Sequence, residues 1–96
     1  MTKKELLVKL KNIQQELSSQ FGIEKIALFG SYAKEEAHKE SDIDIAIINI
    51  KKKNAFTVIR AEKFLSEYLG KKVDLGLFDS IRPFIQKRIK DEMIHV

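Results

Sequence analysis

Residues 30–44 read GSYAKEEAHKESDID, a glycine–serine pair and an Asp-x-Asp pair with ten residues between them. The run before it, IEKIALF at 23–29, is short, rich in β-formers and too apolar to face water. It reads as a central strand closed by Gly30. The run that follows, SDIDIAIINI at 41–50, reads as a second strand. The intervening residues are good helix formers without a β-branched side chain, which predicts a short helix from 31 to about 39. The stretch is thus either a charged connection between two strands or the two halves of one site.

Working outward, Thr2-Lys3-Lys4-Glu5 has the residues of a capping box, in which the hydroxyl and the carboxylate each satisfy the other's backbone donor. Leu6, Leu10, Ile13 and Leu17 recur at helical spacing and predict one buried stripe on a helix ending near Gly22. After the second strand, Asn54 is a candidate N-cap and Gly70 a C-terminal stop for a long helix with Val58, Ala61, Leu65 and Tyr68 on one face. KKVDLGLF at 71–78 predicts a third strand. Pro83 suits the first turn of a final helix with Ile81, Ile85 and Ile89 in line. The order α-β-α-β-α-β-α places the chain in the layered α/β class, with helices packed on a sheet of at least three strands. No internal repeat and no linker interrupts it, and 96 residues suit a single domain spanning 1–96.

The chain has no cysteine, so neither disulfides nor thiolate metal sites hold it together, which suits a reducing compartment. MTKKELLVKL is amphipathic rather than a basic tip followed by an apolar run, and nowhere do ~18 apolar residues follow one another. A cytoplasmic protein without a membrane span is expected. The net charge of +4 raises the question of nucleic acid, but the basic residues at 3–4, 51–53, 71–72 and 87–88 are scattered among acids without interleaved aromatics. Solvated faces explain them better. His38, in the charged helix, and His95, beside the last residue, read as exposed side chains without a role. Tyr32 reads as a packing residue.

The acids are less easily dismissed. Alternation in a strand puts Asp42 and Asp44 on one face, roughly 7 Å apart at Cα, with Ile43, Ile45 and Ile47 on the other. Two carboxylates at the mouth of an apolar strand repel one another and are costly to desolvate, so they require a cation, hydrogen bonds or protonation. Asp74 is the only acid in VDLGLF, and a third strand could bring it to the same place. Oxygen ligands without Cys or a nearby His select a hard cation, and few carboxylates with room for water and phosphate suit Mg²⁺. Two such ions about 4 Å apart would neutralise a phosphoryl transition state. Gly30 lets the backbone approach a ligand closely, and Ser31 opens a helix whose free N–H groups attract phosphate.

FGSYAKEEAHKESDIDIAI, with its GSx10DxD spacing, followed by VDLGLF, closely resembles the nucleotidyltransferase superfamily of the polymerase-β type. Within it, the chain resembles the minimal nucleotidyltransferase (MNT) group, and IRPFIQKRIKDEMIHV resembles that family's last helix. The resemblance implies a polymerase-β-like nucleotidyltransferase fold, nucleotide phosphates at Gly30 and Ser31, and Mg²⁺ at Asp42 and Asp44. It further implies that Asp74 completes the metal site and acts as general base. Two positions depart from the family's GSxARGxA pattern. Lys34 replaces Arg, keeping the charge for phosphate but losing the bidentate fork, and Glu35 replaces Gly.

The same resemblance implies an antitoxin of a HEPN/MNT pair that transfers AMP from ATP to a hydroxyl, a tyrosine in some members of the family, of a HEPN-type toxin. The acceptor then arrives on another molecule or on another copy of this chain. Two other readings remain: a module that neutralises its partner by contact alone, and a nucleotidyltransferase for a small molecule or nucleic-acid end with a separate acceptor-binding subunit. Three costly strand-borne carboxylates favour an enzyme over contact alone.

Overall fold

The computed structural model describes residues 1–96 and has the alternation expected from the sequence, with one further strand. Helices α1 (Lys3–Asn12) and α2 (Gln14–Phe21) precede strand β1 (Ile23–Phe29) and the one-turn helix α3 (Gly30–Ala33). Strand β2 (Ile43–Ile50), helix α4 (Ala55–Leu69) and strand β3 (Val73–Leu77) follow. A 3-10 turn (Phe78–Ser80), helix α5 (Pro83–Glu92) and the two-residue strand β4 (Ile94–His95) complete the chain. The sheet runs in the order β3-β2-β1-β4. Strand β1 is antiparallel to both β2 and β4, whereas β2 and β3 are parallel and joined through α4, because parallel neighbours need a crossover. This is a mixed α/β fold, with helices packed on a four-stranded mixed sheet.

Local signals explain most of the elements. Thr2 Oγ1 accepts from the N–H of Glu5 at 3.1 Å while Glu5 Oε1 accepts from the N–H of Thr2 at 3.3 Å, so the capping box forms. Asn54 Oδ1 accepts from the N–H groups of Phe56 and Thr57 and starts α4. The stripe Leu6, Leu10, Ile13 and Leu17 is buried, meeting Ile26 and Leu28 of β1, Ile43 and Ile45 of β2, Leu65 of α4 and Val73 of β3 in one core. Each such aliphatic side chain contributes about 1.5–3 kcal/mol by leaving water. No helix is long and apolar enough to cross a membrane.

Away from the strand ends that carry the aspartates and Gly30, the structure departs from the sequence reading in three places. The first helix is two helices, because the backbone of Ile13 leaves the helical region (φ −112°, ψ 11°) while its side chain stays buried. Tyr68 is not in the core of α4. It is 39% exposed, with its hydroxyl donating to the carbonyl of Lys9 at 3.1 Å, and Leu69 is buried instead. The last helix stops at Glu92, after which Ile94 and Val96 turn inward and His95 outward, a period-two pattern that adds β4 to the free edge of β1.

Candidate active site

The strand register decides which acids meet. Asp44 is the second residue of β2 and Asp74 the second residue of β3, and the two are direct partners in the parallel pair. On the other side of β2, Phe29 pairs with Asp44, which delivers Gly30 against the aspartate. Gly30 has φ +74°, and a Cβ placed there would overlap Asp44 Oδ2 and lie 3.1 Å from Cγ. Two independent requirements, a left-handed backbone and a close approach, therefore select glycine.

Asp44 is partly buried between Ile43 and Ile45, which are fully covered. Burial, then the charge of Asp74, then that of Asp42 push its carboxyl above the usual aspartate range. No hydrogen bond to Asp44 offsets these terms, whereas Asp74 is exposed. Asp42 lies just before β2, with its Oδ2 3.9 Å from Lys72 Nζ. No three Asp, Glu, His or Cys side chains draw close enough together to hold a metal ion. The donor chemistry nevertheless fits a hard divalent cation: only oxygen ligands, with a partly buried negative charge at Asp44 that lacks a donor.

The glycine–serine half is shorter than the sequence suggested. Helix α3 ends at Ala33 instead of extending to about 39, so it is a single turn without a substantial dipole. Glu35 then adopts a left-handed backbone at φ 58°, which accounts for a position at which glycine would be favourable, and the N–H of Glu36 bonds back to the carbonyl of Ser31 at 2.8 Å. Ser31 is not an N-cap, since that place falls to Phe29 without a side-chain bond, and its hydroxyl has no intramolecular partner. Lys34 pairs with Glu36 at 3.7 Å and with Glu92 of α5 at 4.0 Å rather than with the aspartates. Tyr32 is buried in the core. His38 lies outside any helix, where it accepts from the N–H of Glu40, and is exposed, as is His95 in β4.

From the sequence, Lys72 reads only as part of a solvated basic pair. The parallel register places it: with Asp44 opposite Asp74, Lys72 falls opposite Asp42. The aspartates line none of the molecule's three concavities. One of about 290 Å³ adjoins α3 and is lined by Tyr32, Glu35, Ala37 and residues 1–3. The aspartates thus stand at an open surface, accessible to another macromolecule.

A profile described as a nucleotidyltransferase domain matches residues 10–96. A protein of Methanocaldococcus jannaschii, provisionally named as a protein adenylyltransferase, is 40% identical over 94 residues, covering 97% of this chain and 93% of its own. The protein adenylyltransferase MntA of Thermococcus cleftensis is 34% identical over 83 residues, covering 86% and 84%. Among solved structures, a minimal nucleotidyltransferase superposes with a TM-score of 0.80 at 23% identity, covering 98% of this chain and 95% of that one. A toxin–antitoxin complex with AMP-PNP gives 0.73 at 25% identity, covering 91% and 70%. An MNT antitoxin complex with the tri-AMPylated HEPN toxin of Shewanella oneidensis gives 0.69 at 21% identity, covering 93% and 69%.

Proposed function

Because the chain belongs to the nucleotidyltransferase domain family, we propose that it transfers AMP from ATP to a tyrosine hydroxyl of a HEPN-type toxin and so acts as a cytoplasmic antitoxin. The observation that carries this reading is the direct pairing of Asp44 with Asp74 beside Gly30. A partly buried carboxylate without a hydrogen-bond donor is expensive for a merely adhesive module. The adenylyltransferase names of the relatives, and the toxin complexes among the similar structures, support the acceptor being a protein.

In this reading Gly30 admits the triphosphate close to the backbone, and the free hydroxyl of Ser31 donates to a phosphate oxygen. Asp42, Asp44 and Asp74 are the residues that would hold Mg²⁺, which would supply positive charge to offset that of the triphosphate. Asp74, exposed on the outermost strand, faces the incoming hydroxyl and accepts its proton. The hydroxyl oxygen bonds to the α-phosphorus as the bond to the bridging oxygen breaks, and pyrophosphate leaves with that electron pair. Positioning supplies most of the rate. Lys34 reaches the phosphates by giving up two exposed ion pairs, each worth about 1 kcal/mol or less.

The test is incubation of the chain with α-labelled ATP, Mg²⁺ and the HEPN partner. Label should appear on the partner and fall by about 10²- to 10³-fold with Asp44→Asn, as expected when a transition-state charge contact is removed. Absence of transfer by the wild type would overturn the reading. If Asp42→Asn and Asp44→Asn still neutralise the toxin fully in cells, neutralisation is by contact alone.

A further inference from the structure

Strand β3 is the outermost strand on its side of the sheet, with β2 along one edge and no strand along the other. The N–H of Ile43 donates to the carbonyl of Lys72 at 3.0 Å, so Lys72 and Asp74 direct their backbone groups toward β2. Val73 and Leu75, which alternate with them, direct theirs outward. These outward donors are taken by side chains of α4. The N–H of Val73 donates to Ser66 Oγ at 3.1 Å and the N–H of Leu75 donates to Glu62 Oε2 at 2.8 Å. Both bonds are partly buried.

The geometry suits the task. Residues four apart on a helix rise about 6 Å, and residues two apart on a strand advance about 6.6 Å, so one helical turn matches the two donors. The residue between those donors is Asp74. No side chain accepts from Leu77, the next outward donor, so the clasp is confined to the flanks of the aspartate. Holding the N–H groups on either side of a residue fixes its backbone, and with it the direction of its Cα–Cβ bond.

We propose that Glu62 and Ser66 are positioning residues for Asp74, holding the edge strand so that its carboxylate stays beside Asp44 during AMP transfer. This rests on the function proposed above. Neither residue touches substrate; each acts through the backbone of β3. Simple protection of a sheet edge would give the same hydrogen bonds, so the test must separate stability from catalysis.

The experiment compares Glu62→Leu, Glu62→Gln and Ser66→Ala in the full chain, using AMP transfer to the HEPN partner per folded molecule and amide exchange by NMR. Glu62→Leu should speed exchange at Leu75 and lower kcat by about 10- to 100-fold with KM for ATP within about two-fold, the scale expected of a small misplacement. Glu62→Gln, which keeps a carbonyl acceptor, should restore most of kcat. An unchanged kcat in Glu62→Leu despite faster exchange would overturn the proposal, as would equal damage in Glu62→Gln. If Glu62→Leu does not fold, Ser66→Ala decides: a several-fold lower kcat with faster exchange at Val73 supports positioning, and an unchanged kcat refutes it. If the wild type transfers no AMP, the proposed function falls while this inference is read from the Asp74 Cα and Cβ shifts. Displacement by Glu62→Leu and return with Glu62→Gln would uphold it; unmoved shifts would refute it.

Discussion

Glu5 and Glu24 lie on the surface with their carboxyls held below the usual range, whereas Asp44, at the end of the sheet, is held above it. The first pair is supplied with donors. Thr2 bonds Glu5, and Ser18, at 2.9 Å, and Lys51, at 3.3 Å, bond Glu24. Asp44 receives burial and two neighbouring negative charges. Glu5 and Glu24 gain hydrogen bonds that favour their charged forms, whereas Asp44 gains none, and under the proposed function its charge serves a ligand. Glu62 belongs with the stabilising group in its hydrogen bond, yet stands next to the strand that carries Asp74.

The comparison breaks most severely at Gly30. Gly30→Ala places a methyl on the Asp44 carboxylate and a side chain on a left-handed backbone, so AMP transfer should fall about 100-fold or more, as misplaced reacting groups do. Stability should fall by about 1–2 kcal/mol, read by urea unfolding. Normal transfer by this variant would remove Gly30 and Asp44 from the site. The smallest effect lies at the opposite end of the comparison. Thr2→Ala should cost about 1 kcal/mol through the lost cap and leave transfer per folded molecule unchanged. A change in transfer there would deny that the stabilising and functional acids are separate.

Much of this was legible in the sequence because it is local. The capping box, the Asn54 cap and the alternation around Asp44 each depend on residues a few positions apart. The length of α3 was not legible, since a single turn followed by a left-handed Glu35 is set by packing, and helix propensity over so few residues is weak. Nor were the partners of Lys72 and Glu62, which depend on how β2, α4 and β3 align in space. The carboxylates of Asp42, Asp44 and Asp74 were readable as a set, yet the 3.9 Å contact of Lys72 with Asp42 is visible only once the parallel register is known.

The central claim is that Asp44 is retained at a cost to stability for the sake of chemistry. Below about pH 3.9, the ordinary aspartate value, its carboxyl is protonated in both folded and unfolded chains and costs nothing. As pH rises from that ordinary value to its raised folded value, the unfolded chain ionises first, so the folded state loses stability relative to it and the loss is complete above the folded value. The direct measurement is the melting temperature of the metal-free wild type and Asp44→Asn from pH 3.5 to pH 7.5, with AMP transfer assayed on the same preparations. The account predicts nearly equal melting at the acid end and a variant that melts higher at neutral pH, by about 4 °C or more for each kcal/mol relieved, while transferring no AMP. A variant that melts lower than the wild type at neutral pH, or that still transfers AMP, would contradict it.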